Sequence, residues 1–147
     1  MSTFQINEKN TFFLQGQGDA GLAIVAILNV SPTVKVNVVV AHMGSEPSDL
    51  QNQTVSIISI IASLSGPTIL MGTMNCFPNS TYISSILHQT QLSDAYADAH
   101  GGHHISTSPF GPVDYIFYTD LVLINASIVE TTASNHFPLQ ATFSIQT

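Results

Sequence analysis

The feature that most constrains the fold is a change of hydrophobic period along the first half of the chain. Two apolar, β-branched runs, 22–30 and 34–41, are separated by a Ser-Pro break, a pattern typical of a hairpin of two central strands. The period of residues 47–64 is helical, and residues 68–71 return to a short apolar strand between breakers. This order predicts a sheet with a helix packed against it.

The helical stretch has an apolar stripe and a polar face. The stripe contains Leu50, Thr54, Ile57, Ile58, Ile61 and Leu64, and the polar face contains Asn52, Ser56, Ser59 and Ser63. We expect Ser48 to cap the helix and Asp49 to lie favourably near the positive end of its dipole. Because the helix is rich in Ile and poor in strong helix formers, its stability depends on packing.

Charge is scarce in this chain of 147 residues, whose length and 44% hydrophobic content predict a single domain, 1–147. Only 7% of the residues are charged, against roughly 25% in an average globular protein. Lys9 and Lys35 stand against nine acidic residues, and the net charge is −7. Because contacts to a phosphate backbone need clustered lysines and arginines, this balance argues against a nucleic-acid partner.

Four Asn-X-Ser/Thr sequons offer another source of solubility, at Asn29, Asn52, Asn79 and Asn125. A chain of this composition would contain about two sequons by chance, so the excess is mild. N-linked glycans would nevertheless explain a surface that is poor in charge. We therefore expect a glycosylated domain that is extracellular or secreted.

Cys76 is the single cysteine, which excludes an intrachain disulfide. Its place beside a loop allows a reactive thiol, but a buried small side chain is the favoured interpretation. His100, His103 and His104 have a spacing that suits a metal such as Zn²⁺, or they belong to a solvated Gly-flanked loop. No run of about 18 apolar residues is present, so no transmembrane helix is expected.

Residues 67–78, Pro-Thr-Ile-Leu-Met-Gly-Thr-Met-Asn-Cys-Phe-Pro, join a short strand to a polar loop. Gly72 is expected to end the strand and to allow a backbone turn. Thr73 and Asn75 would then lie just past the carboxyl end of the strand. In α/β sheets this is the usual place for chemistry.

This stretch resembles the Gly-Asp-Phe-Asn signature of the endonuclease/exonuclease/phosphatase superfamily, the metal-dependent phosphodiesterases with a DNase I-like fold. Three more segments follow in the family's order. Residues 38–42 resemble its strand followed by Thr-His, 113–117 resemble its Ile-Asp-Tyr-Ile-Phe, and 134–138 resemble its Ser-Asp-His-Phe-Pro. The resemblance covers residues 20–145 and implies an α/β fold, a β-sandwich-type sheet with flanking helices, in truncated form.

A shorter similarity points to one branch of the superfamily. The segment His42-Met43-Gly44, followed by Asp49 and by Gln51 or Gln53, resembles the His-Phe-Gly…Asp…Gln pattern of the Cwh43-like proteins, which remodel GPI anchors. That branch also departs from the usual acidic pattern of the superfamily.

By position, the resemblance assigns His42, Asn75, Asp114 and His136 to the family's catalytic set. In the family, a divalent metal binds the scissile phosphate, an Asn positions the attacking water, and a His held by an Asp completes the acid–base set. Asp114 and His136 are therefore expected either as a relict hydrogen-bonded dyad or as a structural histidine satisfied by a neighbouring acid.

Two positions depart from the family's pattern. Thr73 stands in place of the catalytic Asp, and Asn135 stands in place of a metal-site Asp. The family's metal-binding Glu has no equivalent, because Glu8 precedes the matching region. A hydroxyl or an amide is a poor ligand for Mg²⁺ and cannot take a proton from water. We therefore predict no metal and no cofactor, with Mg²⁺ required only if the chain is active.

These residues predict a non-catalytic domain that acts in self-assembly or partner binding. The alternative is a divalent-metal-dependent phosphodiester hydrolase of nuclease, sphingomyelinase or GPI-remodelling type with altered ligands. Because the chain has material for about one sheet, an apolar sheet face would remain open, which usually marks an interface. We expect another chain or a second copy to cover it, with residues 1–14 as an edge or exchange strand.

Overall fold

A computed structural model describes residues 2–18 and 20–145. Its strands are β1 Gln5–Leu14, β2 Gly21–Asn29, β3 Lys35–His42, β4 Thr68–Thr73, β5 Ser93–Asp94, β6 Asp114–Thr119, β7 Val122–Ile128 and β8 Leu139–Ser144. Its helices are α1 Pro47–Ala62, α2 Thr81–Thr90 and α3 Ala95–Ala99. Among these helices, none has the length and apolar character needed to cross a bilayer.

Six strands form one sheet in the order β1–β2–β3–β4–β6–β5. Neighbouring strands are antiparallel except β3 and β4, which run parallel because α1 carries the chain back along the sheet. The expected hairpin of central strands is confirmed by β2 and β3. β1 is an edge strand that pairs with β2 of its own chain, and every residue in it except Leu14 is exposed. Exchange of this segment with another chain stays a prediction.

The helix expected over 47–64 is α1, and the expected cap at Ser48 is wrong. The N-cap residue is Glu46, and its side chain makes no capping hydrogen bond. Pro47 takes the first helical position, where its fixed φ and missing N–H suit a helix start. The cap therefore falls two residues earlier than the serine.

Two polar residues on the buried side of α1 were not anticipated as core residues. The carboxylate of Asp49 accepts hydrogen bonds from the N–H groups of Gln17 and Gly18, at 2.6 and 3.0 Å. Gln53 Oε1 accepts from the N–H of Gly44 at 2.8 Å. Both side chains are fully buried, so α1 fixes the loops before β2 and after β3 as well as covering the sheet.

Gly72 has a different role from the expected one. β4 continues through Gly72 to Thr73, and Gly72 has a φ of 134°. A Cβ atom at this position would clash with the carbonyl oxygen of Ala41 in the neighbouring strand. Glycine is therefore needed for the close approach of β3 and β4 and not for a turn.

The two faces of the sheet are covered differently. Toward the helices, β2 and β3 bury Ala23, Val25, Val39 and Ala41 in the main core. The opposite face of β1, β2 and β3 is exposed or only half-buried, and we call it the bare face. It consists of Ile6, Lys9, Thr11, Phe13, Leu22, Ile24, Ala26, Leu28, Val38 and Val40.

β7 and β8 form a separate two-stranded sheet that begins a second layer on the side of the bare face. It covers β4 and β6 through one apolar cluster, which includes Ile69, Met71, Ile116, Tyr118, Leu123, Leu139, Ala141 and Phe143. A tight turn at Asp120 joins β6 to β7, and Leu139, Ala141 and Phe143 of β8 alternate toward the first layer. The chain is an α/β, sandwich-type structure whose second layer is two strands wide.

α3 begins at a buried carboxylate. Asp94 Oδ1 accepts hydrogen bonds from the N–H groups of Tyr96 and Ala97, at 3.0 and 3.1 Å, and so caps the helix. Asp94 Oδ2 is buried without a hydrogen-bond partner, and Nδ1 of His104 lies 3.9 Å from it. Burial raises the pKa of Asp94, and the two N–H groups and His104 offset this rise only in part.

We expect Asp94→Asn to change how stability depends on pH. Because the folded-state pKa of Asp94 lies above its ordinary value of about 3.9, the residue contributes stability below that pH and loses the contribution as pH rises through the folded-state pKa. Asparagine keeps the capping oxygen and does not titrate. The difference in unfolding free energy, wild type minus variant, should fall in urea denaturation as the pH rises above about 4 and through the raised pKa of Asp94.

His104→Gln is the matched control for this prediction. Because His104 lowers the pKa of Asp94, replacing His104 should raise the pH at which the difference in unfolding free energy falls. A wild-type advantage that grows toward neutral pH would contradict the prediction, since it would mean that His104 outweighs burial.

Candidate functional site

Three polar side chains lie in one row at the end of the sheet. Thr73 in β4 pairs directly with His42 in β3 and with Asp114 in β6. Because directly paired residues point to the same face, the three side chains lie side by side. His136 joins them from the loop between β7 and β8, and the four residues line a cavity of about 600 Å³. Strands β3, β4 and β6 and the loop after β7 therefore bring together four of the residues that the sequence motifs indicated: His42, Thr73, Asp114 and His136.

Asp114 is the centre of this row. Its Oδ1 accepts a hydrogen bond from the hydroxyl of Thr73 at 2.6 Å, and its Oδ2 lies 2.8 Å from Nδ1 of His136. Because a carboxylate only accepts, Nδ1 of His136 must carry the proton. In neutral His136 this leaves Nε2 as an acceptor. Both oxygens of Asp114 are therefore used within the chain.

The loop 129–138 brings His136 to the first layer. Its ends meet where the N–H of Val129 donates to the carbonyl oxygen of Pro138 at 2.9 Å. The N–H of Phe137 donates to the carbonyl oxygen of Thr107 at 2.7 Å. The backbone next to His136 is thus fixed to the loop before β6, and the imidazole reaches Asp114 from a defined direction.

Asn75 and Asn135 lie apart from this set. Asn75 has a φ of 52°, and its amide donates to the carbonyl oxygen of Met43 at 2.6 Å. The N–H of Met43 donates to the carbonyl oxygen of Thr73 at 2.9 Å, so Asn75 helps to join the ends of β3 and β4. Asn135 is exposed beside the cavity. The role in positioning water that the resemblance implies for Asn75 stays a prediction.

Much of the cavity wall is apolar, which the motifs did not indicate. Met71, Ile116, Phe137 and Leu139 contribute to it. Met71 precedes Thr73 by two residues in the same strand, so strand alternation alone places it on the same face. Phe137 and Leu139 reach the cavity through the path of the loop, for which the sequence contains no local signal.

Tyr115 points to the opposite side of β6 and anchors the loop after β4. Its hydroxyl lies 2.7 Å from the carbonyl oxygen of Cys76 and 2.9 Å from that of Pro112. Burial raises the pKa of Tyr115, so the hydroxyl remains a donor. Cys76 is 6% exposed, and burial raises the pKa of its thiol to about 11. The favoured interpretation of Cys76 as a buried small side chain is confirmed.

The three loop histidines do not converge. His100 Nε2 lies 2.9 Å from the carbonyl oxygen of Ala126, and its ring stacks on Tyr96 at a centroid distance of 4.2 Å. His103 is exposed, and His104 lies beside the α3 cap. Within 2–18 and 20–145, no three His, Cys, Asp or Glu residues form a group suited to a metal ion.

No family model matches the sequence. Over 83 residues the chain is 36% identical to UPF0294 proteins of Yersinia pseudotuberculosis and Yersinia pestis. The matched segment is 56% of this chain and 32% of each relative. The chain thus spans about a third of the length of the curated relatives it matches.

Solved structures match nearly the whole chain. An endonuclease/exonuclease/phosphatase of Bacteroides vulgatus matches 97% of this chain and 67% of its own, with a TM-score of 0.82 and 19% identity. The mannosyl-6-phosphatase of Bacteroides thetaiotaomicron also matches 97% and 67%, with a TM-score of 0.76 and 14% identity. The catalytic domain of human nocturnin matches 96% and 60%, with a TM-score of 0.73 and 18% identity. These similarities show that the chain has an endonuclease/exonuclease/phosphatase, or DNase I-like, fold, shortened to about two thirds of the length of the matched structures.

Proposed function

We propose that this chain is a non-catalytic domain of the endonuclease/exonuclease/phosphatase fold that acts in self-assembly or partner binding. The observation that carries the proposal is the double engagement of Asp114, whose two oxygens are occupied by Thr73 and His136 at 2.6 and 2.8 Å. The bare face supports the second half of the proposal, since exposed apolar patches usually mark interfaces.

The donor set of the cavity does not fit Mg²⁺. This cation takes oxygen ligands in near-octahedral geometry and is usually held by carboxylates. Among the described residues that line the cavity, Asp114 is the single carboxylate, and a cation would compete with the Thr73 hydroxyl and the His136 N–H for its oxygens. The hydroxyl of Thr73 cannot act as a general base, whose loss typically lowers a rate by about 10²–10⁴-fold.

The second candidate is a phosphodiester hydrolase that uses a divalent metal with altered ligands. The Asp114–His136 hydrogen bond favours it, because a carboxylate-held imidazole can move a proton or stabilise developing negative charge. His42 lies in the same row and lines the same cavity. The mannosyl-6-phosphatase named above shares the fold at 14% identity.

Hydrolysis of bis-(4-nitrophenyl) phosphate discriminates between the two candidates. With Mg²⁺ or Mn²⁺, we expect the unaltered chain to produce no more nitrophenolate than the metal alone. His136→Ala should then have no effect. Metal-dependent turnover that falls by about 10²-fold or more in His136→Ala would favour the hydrolase.

Thr73→Asp tests the donor set without relying on activity. A second carboxylate beside Asp114 would place two like charges in contact, which raises the pKa of one of them and destabilises the fold. We expect the melting temperature of Thr73→Asp to fall and to recover when Mn²⁺ is added, whereas the unaltered chain should not respond to the metal. Thr73→Asn is the matched neutral control and should not respond either. Stabilisation of the unaltered chain by Mn²⁺ would contradict the proposal.

The proposal includes an extracellular, glycosylated setting, for which the positions of the sequons provide support. Asn52 in α1, Asn79 before α2 and Asn125 in β7 are all exposed. Asn29 is half-buried, and its amide exchanges two hydrogen bonds with that of Asn7, at 2.6 and 2.8 Å. A glycan on Asn29 would remove a donor hydrogen from this pair. The other three sequons are therefore the better sites for glycan attachment.

We expect the chain, secreted from a eukaryotic host behind an added signal peptide, to lose mass when peptide N-glycosidase is applied. Asn52→Gln, Asn79→Gln and Asn125→Gln should each remove one glycan. Asn29→Gln should leave the glycan mass unchanged. A secreted chain without any enzyme-sensitive mass would contradict this part of the proposal.

A further inference from the structure

A second, much smaller cavity lies beside Asp114, which lines it together with Asp94, His104, Thr107 and Tyr115. Its walls come from β5, β6, the loop that joins α3 to β6, and the adjoining ends of β7 and β8. The centre of a water-sized sphere has about 10 Å³ in which to move, which is the space that one water molecule needs. The cavity therefore suits a single small ligand.

Asp94 has one carboxylate oxygen that the fold does not satisfy. Its Oδ1 caps α3, whereas no described residue donates a hydrogen bond to its Oδ2. The residue is 7% exposed, so bulk water does not solvate this oxygen. Because a buried carboxylate oxygen without a donor is costly, Oδ2 requires a donor from within the cavity.

Thr107 has the complementary need. Its Oγ1 accepts hydrogen bonds from the N–H groups of Val113 and Asp114, at 3.3 and 3.2 Å. These bonds use the acceptor capacity of the hydroxyl, and its hydrogen remains to be donated. None of the described residues accepts that hydrogen, and Thr107 is 3% exposed. The cavity walls therefore carry an acceptor without a donor and a donor without an acceptor.

His104 supplies a third polar atom. Its Nδ1 lies 3.9 Å from Oδ2 of Asp94. This distance is too long for a direct hydrogen bond, and one bridging water molecule can span it. The ring of His104 meets that of Tyr115 edge-on at a centroid distance of 6.3 Å, so the imidazole is packed beside the cavity.

The chemistry of these three groups selects the ligand. A cation would satisfy Asp94 but leave the hydroxyl hydrogen of Thr107 without an acceptor, and an anion would meet a carboxylate. Water both donates and accepts, and buried water typically makes about three hydrogen bonds. It can accept from the hydroxyl of Thr107, donate to Oδ2 of Asp94, and donate its second hydrogen to Nδ1 of neutral His104.

We propose that this cavity is a binding site for one structural water molecule, which bridges Oδ2 of Asp94, the hydroxyl of Thr107 and Nδ1 of His104. The inference does not rest on the non-catalytic role proposed above. Metal-dependent turnover would remove that role and leave the water in place, and a chain that lacks the water could still be non-catalytic.

The bridging water joins α3 to the backbone around the Asp114–His136 pair. Oγ1 of Thr107 accepts from the N–H of Asp114, and the carbonyl oxygen of Thr107 accepts from the N–H of Phe137 at 2.7 Å. A hydrogen bond that orients the Thr107 hydroxyl therefore also steadies the backbone on both sides of the pair. Asp94 is thus a positioning residue that acts on Asp114 and His136 through the water and Thr107.

A crystal structure at high resolution tests the water directly. We expect one ordered water oxygen within about 3.2 Å of both Oδ2 of Asp94 and Oγ1 of Thr107. A cavity without electron density, a direct hydrogen bond between these two side chains, or a metal ion between them would overturn the proposal.

A double-mutant cycle tests the bridge in solution. Asp94→Ser keeps an oxygen that can cap α3 and removes Oδ2, and Thr107→Val removes the hydroxyl at nearly constant shape. Each variant should be less stable in urea denaturation, and the double variant should lose less stability than the sum of the two, because either change breaks the shared bridge. Thr107→Ser is the matched control, since it keeps the hydroxyl, and its loss should add to that of Asp94→Ser. Additive losses with Thr107→Val would overturn the bridge.

The proton on Nδ1 of His136 reports the positioning role. With isotope-labelled histidine, its NMR resonance should shift in Asp94→Ser, although Asp94 has no direct contact with the pair. Asp98→Ser is the matched control, because it removes a carboxylate of α3 that does not line the cavity, and it should leave the resonance in place. An unchanged resonance in Asp94→Ser, or an equal shift in Asp98→Ser, would overturn the positioning role.

Discussion

Both faces of the central strands carry apolar side chains, and the helices cover only one of them. α1 and α2 bury Val25, Val39 and Leu70 in the main core, where removal of apolar surface from water contributes about 25 cal/mol per Å². On the other face, the described residues supply a layer two strands wide. The polar row of His42, Thr73 and Asp114 lies where this partial layer meets the bare face. The narrow second layer therefore determines both the shape of the cavity and the exposure of the bare face.

Thr73, the position at which the family's pattern has an Asp, forms one hydrogen-bonded arrangement with the Asp114–His136 pair. Asp114 is half-buried, and a carboxylate in such a place is stable when both its oxygens accept hydrogen bonds. Thr73 supplies one donor and His136 supplies the other. An Asp at position 73 would replace a donor with a second negative charge, which needs a cation to balance it. Thr73 is thus the residue type that suits this row when hydrogen bonds, and not a cation, stabilise the carboxylate of Asp114.

Local sequence patterns predicted the parts of the structure that local forces determine. The β2–β3 hairpin and α1 follow from hydrophobic period and breakers. The Asp114–His136 contact could be anticipated because the resemblance supplied it. The bonds of Asp49 to Gln17 and Gly18 and of Asn75 to Met43 span about thirty residues of chain, and no periodicity encodes them. Gly72 was misinterpreted because a close approach between strands and a turn both require glycine.

Asp114 and His136 belong to different layers, and 22 residues of chain separate them. Their hydrogen bond, together with that between Phe137 and Thr107, therefore joins the two layers at one end of the sandwich. A fluctuation that separates β7 and β8 from the first layer would break these hydrogen bonds and leave the six-stranded sheet intact. The cavity thus exists only in the closed state, and the imidazole of His136 reports whether the two layers are together.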